Sequence, residues 1–370
     1  MVMRDLPVFQ TRHSRTHIDA AGNVGRGADG AGSQGVNQGE RGAAHARPRD
    51  AYRDVPILVK PPWGHDISLY FFAGGVSCGA FVVGALADLV GGPRRAGLAR
   101  TAHYVAFAAM APCPVLLIHD LGRRSRFHHM LRVFKPSSPM NLGAWALSAH
   151  GAFATVTAAH ALCEEVDLPV VGSLLRLLPR RALAAAGIPS ALTLGGYTGV
   201  LLGTSSVPLW MTSPLLGGLF MASSLSTGAA AVTLAAAARR GGHGGNTHDE
   251  GVTRLDLALS ATEVAALAGY LATSGKAVTP LLHGVVGLVM ATATAGIVAT
   301  PLLEAAGLRA EGVRTGRLGL VAAAVTLASG VLLRYGIVFG GHKSALDRAA
   351  TLTATEPSRR ATGWGARATR

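Results

Sequence analysis

Histidine, aspartate and arginine crowd one short segment of this chain, His119-Asp120-Leu121-Gly122-Arg123, and Lys135-Pro136-Ser137-Ser138-Pro139-Met140 follows a dozen residues later. Both segments lie between long apolar stretches. Ionisable groups beside lipid are costly, so they mark pathways or partner surfaces. A histidine titrates near neutral pH and a carboxylate orients its ring, which suits His119 and Asp120 to exchanging protons with a small redox molecule. The plainer reading makes them a helix cap, with Arg123 in a surface ion pair. Both readings stand together.

The elements that position these groups follow from composition. The 370 residues are 49% hydrophobic and 15% charged, with a mean hydropathy of +0.35. That is too apolar for an ordinary soluble domain and points to an integral membrane protein. Apolar runs near the length of a span fall at Ile67 to Val90, Leu98 to Ile118, Leu142 to Leu162, Ala191 to Trp210, Leu215 to Ala238, Leu257 to Thr273, Leu281 to Leu303 and Leu318 to Phe339. The alternating segments of a barrel are absent, so the expectation is an all-α membrane protein of about eight helices. The sixth run is short and contains Glu263. A seven-helix count with one re-entrant segment is its alternative.

Three regions follow. Residues 1–60 are rich in Gly and Arg and too poor in large apolar groups to fold, so disorder is expected. No apolar run follows their scattered arginines as a secretory signal would require. Residues 61–343 form the transmembrane domain, and 344–370 read as a polar, basic tail. The formal charge of +14 resides in tails and short loops, not interleaved with aromatics, which argues against nucleic acid as a partner. Lys and Arg divide almost evenly between the two faces, so the positive-inside rule assigns no orientation.

Because successive spans alternate in direction, the start of the first, the end of the second and the start of the third share a face. Trp63, His65, Asp66, His119, Asp120, Arg123 and Lys135 therefore lie on one side. Pro112 and Pro114 are expected to kink the second span just before the His-Asp pair and open room for a ligand. Tyr70 and Tyr197 lie within spans, where a hydroxyl needs a partner. Either suits a quinone carbonyl, with Tyr197 the deeper and Tyr70, like Trp63, also readable as an interfacial anchor.

Other polar residues divide by position. Asp88, Glu164, Glu165 and Glu304 fall at span ends on the opposite face, where hydration suffices and no role is assigned. Glu263, inside a span, is a candidate step in a proton path. His103, His150, His160 and His283 lie in or near spans, where they either bond between helices or, from facing helices, ligate a haem. Cys78, Cys113 and Cys163 are far apart in sequence and form no Cys-x-x-Cys, so the chain builds neither an iron–sulfur cluster nor a zinc site of its own. No bound metal or haem is expected.

One internal echo aligns Phe71-Phe72-Ala73-Gly74-Gly75-Val76-Ser77-Cys78-Gly79-Ala80 with Phe220-Met221-Ala222-Ser223-Ser224-Leu225-Ser226-Thr227-Gly228-Ala229. It suggests two parallel four-helix bundles of related origin. The alternative is the general recurrence of small residues in membrane helices.

Trp63, Tyr70-Phe71-Phe72-Ala73-Gly74-Gly75, the His119 to Arg123 segment, Arg126-Phe127, Lys135 to Met140 and Tyr197-Thr198-Gly199-Val200-Leu201-Leu202 together resemble the NrfD/PsrC family of polysulfide reductase membrane subunits. The likeness covers roughly residues 60–343. It departs at Arg124, where proline usually follows Gly-Arg, at His128, where an aromatic is common, and in the extra amino-terminal segment. The resemblance implies an eight-helix anchor in the cell membrane that exchanges electrons between an exchangeable quinone, menaquinone or ubiquinone, and an iron–sulfur (4Fe-4S ferredoxin-like) subunit wired to a molybdopterin catalytic subunit. It places the quinone pocket at the start of the first span with His65 and Asp66, brings in Tyr197, and sets the loop with Arg126 and Lys135 near the docking surface. Such an anchor is inactive alone. The rival expectations are a proton-translocating subunit, and a scaffold or haem-bearing anchor without a quinone site.

Overall fold

The computed structural model describes residues 57–92, 95–166, 172, 175, 178–239, 250–309 and 313–352, and a backbone pairing at 17–18 and 24–25. Two compact units divide the chain, Met1–Asp54 and Val55–Arg370. In the first, the two-residue strands β1 (His17–Ile18) and β2 (Val24–Gly25) pair antiparallel, His17 opposite Gly25. The expected disorder of residues 1–60 otherwise falls almost wholly outside the described residues.

In the second unit the described residues form helices and no strand. Eight long helical segments follow in order: α1 (His65–Val90), α2 (Ala96–Asp120), α3 (Pro139–Glu165), α4 (Arg180–Gly203), α5 (Leu216–Arg239), α6 (Glu250–Ser274), α7 (Gly284–Arg309) and α8 (Val313–Leu346). Seven of them, all but α3, are long and apolar enough to cross a membrane. The protein is therefore an all-α, multi-pass membrane protein. The odd member is not the expected sixth segment, because α6 continues through a 3-10 stretch to Leu281 and qualifies as a span. It is α3, whose 27 residues include Ser148, His150, Thr155, Thr157 and His160.

Other boundaries differ for local reasons. α4 starts at Arg180, well before the expected Ala191, because Pro189 is tolerated inside the helix; it ends at Gly203, and Trp210 belongs to a separate turn, Pro208–Met211. α2 is interrupted at Ala111, where Pro112 and Pro114 lack the N–H groups that would continue its ladder. At the far end, Ser344, where the tail was expected to begin, is fully buried, and its hydroxyl accepts a bond from Leu209 N at 3.1 Å.

Ion pairs locate the helix ends. His119 Nδ1 at the end of α2 lies 2.6 Å from Asp66 Oδ2 at the start of α1, which fixes these two ends on one face. Opposite, Asp88 near the end of α1 meets His103 of α2 at 2.7 Å and Arg180 of α4 at 2.5 Å, and Arg180 also pairs with Glu164 of α3. Arg239 of α5 reaches Glu165 at 2.6 Å and stacks over Tyr104. Hydration does not suffice there after all: the Asp88 side chain is only 6% exposed and is held by partners.

The two segments that the sequence aligns lie against each other in α1 and α5. Phe71 meets Phe220 edge to face at 6.0 Å between centroids. A Cβ on Gly75 would strike Ser224, and one on Gly79 would strike the backbone at Ser224 and Gly228. Phe71–Phe220, Gly75–Ser224 and Gly79–Gly228 join residues that the sequence alignment equates, and Gly79–Ser224 joins neighbours one turn apart. In-register contact of this kind requires parallel helices side by side about a local two-fold axis.

Candidate functional site

At the His119 face, the lead-in to α1, the helices α1 to α4 and the loop after α2 enclose a cavity of about 200 Å³. Its walls are mostly apolar: Ile67 and Phe71 of α1, Leu117 of α2, Leu121 and Met130 of the loop, Met140, Gly143 and Ala144 of α3, and Leu201 of α4, with Pro62 and Trp63 at the lead-in. Three groups give it polar character, Tyr70, Asp120 and Tyr197. An apolar slot with few placed polar groups is the common form of a small-molecule site.

The two tyrosines differ in what their hydroxyls do. Tyr197 OH donates to the Pro139 carbonyl at the start of α3, and its ring packs so closely on Gly143 that a Cβ there would collide with it. Tyr70 is buried, and its hydroxyl makes no hydrogen bond to any described residue. The free donor in the cavity is thus Tyr70, whereas Tyr197, the deeper candidate by sequence, has committed its proton to the backbone.

Helix geometry explains which expected partners meet. Neighbouring residues on a helix point about 100° apart, so His119 and Asp120 diverge. Asp120 lines the cavity; His119 bonds Asp66 on the exposed rim, with side chains 58% and 34% exposed. By the same rule Asp66 and His65 separate: the His65 ring lies 5.6 Å from Tyr335 and 5.1 Å from Phe339, away from the cavity lining. Arg123, Arg126 and Lys135 are exposed on the loop. Arg123 makes no side-chain ion pair among the described residues, so the expected pair with Asp120 does not form.

Trp63, on the cavity wall, stacks on Trp210 at 5.4 Å. Trp210 in turn donates its indole N–H to Ile337 O at 2.8 Å, which ties the wall to α8. The loop has its own fastening. The Asn141 side chain donates to Met130 O at 2.5 Å and Val133 O at 3.0 Å and accepts from Lys135 N at 2.7 Å. Neither Met130 nor Asn141 stands out in sequence; the available signal is Ser138, which caps α3 ahead of Pro139 and sets Asn141 on its first turn.

Glu263 lies apart from the cavity lining. It is buried at 2% exposure, faces Ser223 and Ser226 of α5 and feels the charge of Arg334 on α8. Arg334 is fully buried; it donates to the Ser223 and Ser224 hydroxyls and to Phe220 O, and its guanidinium sits over the Phe220 ring. Nearby on α6, Ser260 bonds Glu304 of α7 at 2.5 Å, and Thr233 bonds Asp256. Glu304 is buried and bonded, another carboxylate that hydration alone does not explain.

Two of the span histidines have other partners. His103 holds Asp88, and His150 Nε2 lies 3.0 Å from the Ser77 hydroxyl; both rings meet the edge or face of Phe81. Cys78 and Cys113 are buried and Cys163 is half-buried, all as free thiols.

Residues 57–344 match the family described as Polysulphide reductase, NrfD. Among curated proteins, the C subunit of the polysulfide reductase of Wolinella succinogenes is 29% identical over 176 residues, which is 45% of this protein and 55% of that relative. The protein thus spans about half the length of the curated relative it matches. The family match runs from the lead-in of α1 into the last turn of α8 and takes in every residue of the cavity; the chain belongs to the NrfD family of integral membrane proteins.

Proposed function

We propose that this chain is the quinone-exchanging membrane subunit of a multi-subunit oxidoreductase. The observation that carries the reading is the cavity at the His119 face, where a free buried phenol and a carboxylate share an otherwise apolar slot. At about 200 Å³ it is smaller than the roughly 300 Å³ at which whole drug-sized sites begin. A planar head group fits that space, with the isoprenoid tail left in lipid.

The chemistry follows from the groups present. Tyr70 donates a hydrogen bond to one quinone carbonyl. Asp120 accepts a proton from the quinol hydroxyl, or returns it in the reverse direction, and the exposed His119–Asp66 pair on the rim exchanges protons with water. Quinol oxidation releases two electrons with its two protons. Those electrons pass to an iron–sulfur subunit, because the three cysteines of this chain are free thiols, one short of the four that hold a cluster. That subunit serves a molybdopterin catalytic subunit, with Arg126 and Lys135 on the exposed loop as docking contacts. The relative, named as one subunit of a polysulfide reductase, supports membership in such a complex.

The test is quinol oxidation by the assembled complex with Tyr70→Phe and Asp120→Asn. Loss of the Tyr70 bond is expected to lower kcat/KM about tenfold, and loss of the proton acceptor about a hundredfold. Wild-type turnover in both, with normal assembly, overturns the assignment.

A further inference from the structure

Residues 121–138 form a strap that supplies one wall of the cavity through Leu121, Gly122 and Met130. Leu121 and Met130 face the cavity, while Arg123, Arg124, Arg126 and Lys135 are exposed. The strap holds little internal order beyond a 3-10 turn at Arg124–Arg126 and one helical turn at His129–Arg132. From Arg123 to Val133, the hydrogen bonds of the described residues run within the strap or to Asn141. Asn141 stands beside Met140 and two residues before Gly143, both of which line the cavity from α3. One amide side chain thus joins the strap wall to the α3 wall.

We infer that Asn141 is the positioning residue of the quinone pocket: its carboxamide clamps the Met130 strap onto the start of α3 and so sets the width of the head-group slot. The inference rests on the quinone reading of the cavity. Only a carboxamide fits the three bonds, since it must donate twice, to Met130 O and Val133 O, and accept once, from Lys135 N. A carboxylate of the same shape would set an oxygen against two carbonyl oxygens. Asn141→Asp therefore preserves volume and breaks the clamp, whereas Asn141→Ala removes it.

The clamp also joins two functions on one segment. The inner side of the strap is pocket wall, and its outer side carries the basic residues proposed to meet the iron–sulfur subunit. Loosening the clamp changes the ground-state fit of quinone more than the proton chemistry at Tyr70 and Asp120, which α1 and α2 hold independently.

The experiment uses the assembled complex with Asn141→Asp, Asn141→Ala and Met130→Ala, and measures quinol KM and kcat together with amide hydrogen exchange over residues 123–135. Both Asn141 variants are expected to raise KM about tenfold with a smaller change in kcat; Asn141→Ala, which also removes the acceptor, is expected to speed exchange at the Lys135 amide, whereas Asn141→Asp keeps that acceptor. Met130→Ala is expected to raise KM with exchange unchanged, and it keeps the inference testable if the Asn141 variants do not assemble. Faster exchange with unchanged KM, unchanged Lys135 exchange in Asn141→Ala, or unchanged KM in Met130→Ala overturns it. A wild-type complex that shows no saturable dependence on quinol defeats the pocket reading instead, and the exchange result still reports on the clamp.

Discussion

Arg334 and Glu263, two buried groups that meet at Ser223 without a direct ion pair, offer a double-mutant cycle that separates structural coupling from a proton path. The guanidinium is fully buried and bonded to two serine hydroxyls and two carbonyls; Glu263 faces the same serine, Ser223, and among the described residues the Arg334 Nε and one Glu263 carboxylate oxygen have no partner. A directly bonded buried pair costs about 3–5 kcal/mol to break, and the serine between these two groups lowers that figure. The neutral acceptors around Arg334 retain its stabilisation, so Glu263→Gln is expected to cost about 1–2 kcal/mol. Arg334→Met is expected to cost a similar amount. The double variant is expected to cost about as much as either single change, giving a coupling of roughly 1 kcal/mol. Unfolding of the purified protein by a denaturing detergent measures all three. Additivity within about 0.5 kcal/mol refutes the coupling. The same variants, reconstituted in vesicles, address the proton-translocating alternative: a double variant no less stable than the single ones that keeps quinol turnover but loses a pH gradient beyond scalar chemistry would establish the proton path.

Two further outcomes follow from the packing. Gly79→Leu drives a side chain into the backbone at Ser224 and Gly228, and is expected to destabilise the protein by about 1–3 kcal/mol or more, read as a lower yield of monodisperse protein. Arg180→Met removes the partner of both Asp88 and Glu164; since the Asp88 side chain is 6% exposed and stays bonded to His103, a loss of about 2–3 kcal/mol in detergent unfolding is expected, and none would show that His103 alone holds it.

What sequence makes legible here is whatever depends on periodicity and span direction. The apolar runs announce the helices, the prolines at 112 and 114 announce the interruption of α2, and alternation of direction places His119, Asp120 and Asp66 on one face, where the Asp66–His119 bond joins two of them. Rotation about a helix axis is not legible at that level. Asp120 and His119 share an end yet face different surroundings, as do Asp66 and His65, because each step turns the side chain by about 100°. Burial at span ends escapes too: Asp88 and Glu304 are read as hydrated until Arg180, His103 and Ser260 arrive from other helices. Asn141 escapes for another reason. Its role lies in three backbone groups of a loop whose path no local pattern encodes.

The aligned segments of α1 and α5 differ in what they carry. The alignment that pairs Phe71 with Phe220 sets Tyr70 against Leu219 and Asp66 against Leu215, so α5 and its lead-in lack the phenol and the carboxylate that α1 brings to the cavity and its rim. In exchange, Ser223 and Ser224 stand where α1 has Gly74 and Gly75, and those two hydroxyls hold Arg334. The absence of side chains on α1 is part of the same arrangement, because a Cβ on Gly75 would press on both Ser224 and the Arg334 guanidinium. α1 thus places its polar groups at the cavity and its rim, and α5 places Ser223 and Ser224 in the interior, where they hold Arg334. The packing accommodates this difference because the small residues at the seam, Gly79 and Gly228, carry the contact without the chemistry.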